Sequence, residues 1–262
     1  MVKKNSFTKI AFTGNTKLTF KCIDSVKKNF DNLDVVAVFG LPNKQSKDKT
    51  NFYDLNEYCN HNNIKLFKTN DWDEFKIFCK ENGIELIITI GDSRIIPESI
   101  VSSFRTIGNH GAILPNVQGG ASLVWGRMLN SGVWGVSIME IDKRVDAGDI
   151  LKTKSFEYDS NWSELEFVEK CDNLTVDALV EVLSGDYTKK SNSKWDVKVN
   201  KHTDSCVAID ILRYCLSKNL NVYMPPRTLL DAKIKRYWPV EFTEIFKVAQ
   251  DKPYPKSIPL AL

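Results

Sequence analysis

Residues 85–91 read ELIITIG, and this stretch decides the fold. From Leu86 to Ile90 it is apolar or β-branched without polar alternation, and it ends at Gly91. A strand with one wet face alternates apolar and polar residues, whereas a strand covered on both faces does not; double burial is the mark of a parallel sheet. The sequence upstream fits. WDEFKIFCKENG (72–83) is a helix with Asp73 near its start and Gly83 past its end. KLFKTN (65–70) is a strand, FYDLNEYCNHNNI (52–64) a helix, and LPNKQSKDKT (41–50) a polar loop. DVVAVFG (34–40) is another buried strand. Leu18, Phe20, Ile23 and Val26 recur at helical spacing over residues 17–30, and KIAFTG (9–14) opens the series as a strand. Strands that alternate with helices of this length form βαβ units with right-handed crossovers.

Downstream the pattern changes. IGNHGAILP (107–115) closes a fifth strand, and a glycine-containing loop, NVQGGAS (116–122), follows. SLVWGRMLNSG (122–132) reads as a short helix. WGVSIMEID (134–142) and DILKTKSFEY (149–158) are strands flanking a charged turn. Residues 161–185 form a long helix, with Ser163 or Asn161 as N-cap and Gly185 beyond its end. The expected fold class is α/β, a Rossmann-like, doubly wound, mostly parallel sheet. The expected organisation is a core over 1–186 and a small C-terminal extension over 187–262.

Composition narrows the function classes. The chain has 262 residues, 42% hydrophobic and 26% charged, as in soluble globular proteins. No apolar run reaches the roughly 20 residues of a membrane span, and the N-terminal lysines precede no signal-like apolar core. A cytoplasmic protein without a membrane partner is expected. The six cysteines form no Cys-x-x-Cys pair, so reduced core thiols are expected rather than disulfides or a zinc site. No metal is expected. Charge is uneven: residues 187–262 carry 14 Lys/Arg against 7 Asp/Glu, which leaves −4 for the remainder of a chain with net charge +3. Such an extension attracts anions.

In a doubly wound sheet, ligands collect beyond the carboxyl ends of the strands. The first such turn, FTGNTKLTF (12–20), has a single glycine. It lacks both the G-x-G-x-x-G dinucleotide loop and the phosphate-cradling P-loop, which counts against a nicotinamide dehydrogenase. His110 follows the fifth strand, and an imidazole can give or take a proton near neutral pH. Asp146, 36 residues later, lies in the turn between the last two strands; a carboxylate returned beside His110 would orient it.

Together these motifs resemble the formyltransferase family that uses N10-formyltetrahydrofolate. That family's pattern runs approximately N-x-H-x-S-x-L-P-x-x-R-G, then G-V-[ST]-I and D-x-G-x-I-L. It is similar to IGNHGAILPNVQGG and GVSIMEIDKRVDAGDIL here, with likeness upstream in IAFTG, VVAVFGLPNK and IITIGDSRIIPESI. The resemblance covers residues 9–158 and implies the formyltransferase fold. It also implies a reaction in which an amine attacks the formyl carbon, and the resulting oxyanion needs a hydrogen-bond donor and a proton carrier. His110 would fill that role and Asp146 would hold the imidazole. The family's asparagine falls at Gly108, with Asn109 beside it as the candidate replacement. Gly91, Ser93, Arg94, Ile95 and Ile96, with Asp142, Lys143, Arg144 and Val145, would frame the pterin of the folate. Asn116, Gln118 and Gly119 would face the acceptor; Gln118 stands where the family often has arginine. YMPPRTLLDAKIKRYW (223–238) faintly resembles a family segment that would bring in Arg227.

The acceptor implied first is a nucleotide-linked amino sugar of surface polysaccharide (lipopolysaccharide O-antigen) biosynthesis, which leaves nucleic acid outside the expected partners. Methionyl-tRNA is the alternative, because the basic extension suits RNA phosphates. A non-catalytic folate- or nucleotide-binding α/β protein is the alternative of another class, and the apolar IPLAL end is a candidate homodimer contact.

Overall fold

A computed structural model describes residues 7–42, 45, 51–115, 122–123, 133–143, 146–158 and 162–192, and the backbone of Asn221–Val222 and Ile258–Pro259. The elements in chain order are β1 (Lys9–Thr13), α1 (Lys17–Asn29), β2 (Asp34–Gly40), α2 (Asn56–His61), β3 (Lys65–Lys68), α3 (Trp72–Glu81) and β4 (Leu86–Thr89). They continue with α4 (Glu98–Val101), β5 (Arg105–His110), β6 (Val133–Glu140), β7 (Ile150–Glu157), α5 (Glu164–Leu183), β8 (Asn221–Val222) and β9 (Ile258–Pro259). β1 to β7 form one sheet in the order β3-β2-β1-β4-β5-β6-β7, and β8 pairs with β9. The pairs β1/β2, β1/β4, β2/β3 and β4/β5 are parallel. The chain order reverses at β1, so the strand ends beside β1 and β4 flank the switch point where such sheets bind ligands.

The described chain falls into two compact units. One is Met1–Asn109, Ser137–Lys152 and Asp172–Asn192; the other is His110–Val136, Thr153–Cys171 and Ser193–Leu262. The first therefore runs past residue 186 to Asn192.

Side chains on a strand alternate between faces, and the core of the first unit divides accordingly. Ile10 and Phe12 of β1 and Leu86 and Ile88 of β4 pack with Ile23 and Val26 of α1, Cys59 of α2, and Leu179 and Leu183 of α5. Ala11 and Ile87, one residue out of phase, pack on the other side with Phe39, with Phe75 and Cys79 of α3, and with Ile100 of α4. ELIITIG is apolar throughout because both faces are covered. Burial pushes the Cys79 thiol up to about 12 and the Cys59 thiol to about 11, and raises that of Cys22 further. These thiols are core filling and hold no thiolate for chemistry. In the second unit Phe156 stacks with Trp162 at 5.9 Å and Tyr158 meets the edge of Phe167 at 5.0 Å.

Caps set the helix starts. Thr16 and Thr19 form a reciprocal capping box on α1, Asp71 accepts from the Asp73 and Glu74 amides on α3, and Ser163 exchanges bonds with Glu166 on α5. Ser163 therefore caps α5, and Asn161 lies outside the described residues. α2 is shorter than the apolar pattern of 52–64 suggests. The Tyr53 amide donates to Asn15 O at 2.9 Å, and Lys17 N donates to Asn51 O at 3.1 Å. Backbone committed to that pairing is not available to a helix. All of the anticipated helix over 122–132 except residues 122–123, which are helical, and most of the 41–50 loop lie outside the described residues.

Gly14 fixes the end of β1 against β4. Its φ is +125°, and a Cβ there would lie 1.9 Å from Ile90 O. Gly14→Ala combines a clash against backbone with an unfavourable φ. It should cost about 1–3 kcal/mol, visible as a lower midpoint in urea or thermal unfolding of the purified protein.

Candidate functional site

The described candidate residues lie at or just beyond the ends of β4, β5 and β6. His110 is the last residue of β5 and is 6% exposed. Burial of an ionisable imidazole requires bonded surroundings, and His110 has them. Beyond it, Trp134 of β6 donates its indole N–H to Gly111 O at 2.9 Å. A Cβ on Gly111 would press on Ser122 Oγ at 2.7 Å and on Leu123. The start of the loop after His110 is thus pinned within the second unit, as far as Pro115, which follows a cis peptide.

Gly108 and Asn109 lie in the first unit. Thr89 of β4 is the register partner of Gly108. A Cβ at 108 would meet Ile141 Cδ1 at 2.8 Å, Ile141 Cγ1 at 3.2 Å and Thr89 O at 3.2 Å. The space that the family's asparagine would enter is taken by Ile141. Asn109 is half-buried in a regular strand, so its side chain lies on the face opposite that of 108 and 110. Among the described residues it has no side-chain hydrogen-bond partner.

Asp146 is half-buried in the turn between β6 and β7, with φ +51°. Asn192, 2% exposed, donates its amide to Asp146 O at 2.9 Å and Gly148 O at 3.1 Å. Sequence reasoning missed Asn192, which follows the long helix in a polar stretch; only the fold reveals its partners, 46 and 44 residues earlier.

The loop after β4 is fastened by its own charged pair. Arg94 bonds Asp92 through Nε at 3.0 Å and Nη2 at 2.7 Å. Its guanidinium also donates to Phe39 O at 2.8 Å, Thr69 O at 3.0 Å and Gly40 O at 3.3 Å. It lies 4.3 Å from the ring centroid of Phe39 and 4.9 Å from that of Trp72. The Arg94 side chain is therefore spent on the ends of β2 and β3, and its amide donates to Asp92 Oδ1 at 2.9 Å, which leaves its backbone carbonyl for a ligand. Gly91 (φ +65°) packs against Thr16, Ser93 and Ile95 are exposed, and Ile96 is half-buried.

An open groove of about 490 Å³ is lined by Glu98, Val101 and Ser102 of the α4 region and by Ile141, Asp142 and Lys143 after β6. The structure thus brings Asp142 and Lys143 to the helix that follows the 91–97 loop, while Gly91, Ser93, Arg94, Ile95 and Ile96 are not among the groove's lining residues. Arg144, Val145, Asn116, Gln118, Gly119 and Arg227 lie outside the described residues. Among the described residues no cluster of His, Cys, Asp and Glu could hold a metal ion, and no helix is long and apolar enough to cross a membrane.

Residues 8–183 match the family model described as formyl transferase. The chain belongs to the formyl transferase family. Among its relatives, methionyl-tRNA formyltransferase of Prochlorococcus marinus subsp. pastoris is 25% identical over 203 residues, covering 75% of this chain and 61% of that protein. Methionyl-tRNA formyltransferase of Caldanaerobacter subterraneus subsp. tengcongensis is 25% identical over 260 residues, covering 91% of this chain and 82% of that protein. The match to the first such relatives spans about three fifths of their length. The solved phosphoribosylglycinamide formyltransferase from Bacillus halodurans superposes with a TM-score of 0.56 at 18% identity, covering 67% of this chain and 95% of that one. That likeness establishes the formyltransferase fold.

Two variants test the geometry. Arg94→Ala leaves the buried Asp92 carboxylate unpaired and should cost about 3–5 kcal/mol, read as a lower unfolding midpoint. Gly108→Asn should destabilise because Ile141 occupies its space. Adding Ile141→Ala should recover part of that loss, so a double-mutant cycle should show coupling of about 0.5–3 kcal/mol. Additive effects would mean that the two side chains do not compete for one space.

Proposed function

We propose that this chain transfers the formyl group of N10-formyltetrahydrofolate to a primary amine. The observation that carries the reading is a buried imidazole, His110, at the carboxyl end of a central strand in a formyl transferase family chain. Bound formyl-folate supplies an electrophilic formyl carbon. His110 donates a hydrogen bond to the oxygen that becomes negative as the amine attacks, and relays the amine's proton to N10 as the bond from the formyl carbon to N10 breaks and tetrahydrofolate leaves. The family pattern in the sequence assigns Asp146 the role of holding the imidazole. The groove beside α4 supports pterin binding: Val101 and Ile141 give an apolar wall, with Ser102, Asp142 and Lys143 adding polar groups at its border. Gly91, Ser93, Ile95, Ile96, Arg144 and Val145 complete the folate frame in this reading, and Arg94 contributes through its backbone.

Methionyl-tRNA is the acceptor with the most support. The relatives carry that name, one aligns with nearly the whole chain, and residues 187–262 have the basic balance that RNA phosphates favour. The relatives thus favour the alternative read from sequence over the nucleotide-linked amino sugar. The sugar reading keeps one observation of its own: Gln118 replaces the arginine frequent in the family beside Gly119, so Asn116, Gln118, Gly119 and Arg227 would meet a different acceptor.

The test is direct. The protein is incubated with 10-formyltetrahydrofolate and either methionyl-tRNA or a panel of nucleotide-linked amino sugars. Release of tetrahydrofolate is followed optically, and formylation as a mass gain on the acceptor. Formylation of methionyl-tRNA alone is expected, formylation of a sugar alone overturns the acceptor, and folate binding without transfer to any amine overturns the enzyme reading. His110→Ala should lower turnover by roughly 10²–10⁴-fold in protein that still unfolds cooperatively. Near-normal turnover would sink the role given to His110.

A further inference from the structure

The turn that carries Asp146 is held in a conformation it would not choose. At φ +51° its backbone sits in the left-handed region, which residues with a Cβ adopt only occasionally. Such strain persists where the surroundings over-determine it. Three contacts do so here. Gly148 is pressed onto β6, where a Cβ would lie 1.9 Å from Glu140 O. Lys190 and Ile150 exchange backbone hydrogen bonds of 2.8 Å in each direction, which fixes the register of the chain leaving α5 against the start of β7. Asn192, two residues on, then spans the turn with one amide nitrogen, bonding the carbonyls on either side of Ala147.

The residue type matters. A carboxamide nitrogen carries two N–H donors, a hydroxyl one, an ionised carboxylate none. Asn192 is 2% exposed, and among the described residues its Oδ1 is buried without a hydrogen-bond partner. An unpaired buried acceptor is unfavourable, because its lost hydration is not replaced. Core stability alone does not account for an asparagine at this depth; its two donations to the turn do.

We infer that Asn192 is a positioning residue that fixes the Asp146 backbone and with it the direction of the carboxylate. The inference rests on the reading in which Asp146 orients the imidazole. It extends the working part of the chain to residue 192, past the last element of the core.

The experiment compares the full chain with Asn192→Ala, Asn192→Ser and Asp146→Asn. Backbone NMR shifts of Asp146 report its conformation without any substrate. In Asn192→Ala they should move away from the wild-type values, and in Asn192→Ser, which keeps one donor, by less. With 10-formyltetrahydrofolate and methionyl-tRNA, kcat of Asn192→Ala should fall roughly 10–100-fold, the scale of a small misplacement of a working group. KM for the folate should stay within about threefold, whereas a generally loosened fold would move both. If Asn192→Ala does not fold, Asn192→Ser carries the test with an intermediate loss. Unchanged Asp146 shifts, or a wild-type kcat in a folded Asn192 variant, overturns the positioning role. Wild-type turnover in Asp146→Asn overturns the reading beneath it. Low turnover in Asp146→Asn beside normal turnover in Asn192→Ala overturns the positioning role alone.

Discussion

One buried cation organises the carboxyl edge of the parallel sheet. The Arg94 guanidinium joins three chain segments that meet only in the folded state: the loop after β4, the end of β2 and the residue after β3. Its charge is matched by Asp92, whose side chain is fully buried, and its faces are covered by Phe39 and Trp72. Arginine suits this position because its planar fork serves several acceptors at once and stacks on rings, which a lysine ammonium does not. A buried pair of this kind adds little net stability over a well-packed apolar substitute, but removing either partner is expensive. Its value is geometric: it fixes where the loop after β4 leaves the sheet.

A second set of contacts brings the neighbouring loops close. Thr19 of α1 donates to Ile90 O at 2.7 Å, and Thr13 to Thr89 Oγ1 at 3.2 Å. Gly14 and Gly91 then pass where side chains would collide with Ile90 and Thr16. The edge on which such sheets bind ligands is therefore made rigid by small residues, hydroxyls and one arginine. Rigid placement is what a transfer reaction needs, since aligned reactants remove much of the entropic barrier.

The strands and their order of appearance are legible in the sequence because they depend on local runs. ELIITIG and DVVAVFG are runs dominated by apolar residues, and the cap at Ser163 is a short-range pattern. His110 and Asp146 stand out because their residue types and their places at strand ends are visible before folding. What could not be read depends on contacts across the chain. Arg94 looks like a surface cation until the carbonyls at Phe39 and Gly40, 55 and 54 residues away, are brought to it. Asn192 looks like one more polar residue until the Asp146 turn folds under it. The early end of usable helix at Tyr53 is hidden for the same reason: its amide is claimed by Asn15 O.

The departure at Gly108 follows from packing rather than from the glycine alone. If 108 were merely a lost side chain, the strand would leave a void there, and voids are costly in a close-packed interior. Instead Ile141, at the end of β6, reaches into that volume. The backbone there is tied as well, since Ile141 N donates to Thr106 O at 2.8 Å. Glycine at 108 and isoleucine at 141 form one packing unit, and a change at either site is felt at the other. Asn109 does not refill the role by simple geometry, since its side chain leaves the strand on the opposite face. Under the proposed function, oxyanion stabilisation would therefore fall to His110 without help from a side chain at 108. An enzyme that works this way trades one hydrogen bond at the reacting oxygen for a tighter seam between β5 and the chain leaving β6, the segment that carries Asp142 and Lys143 into the groove.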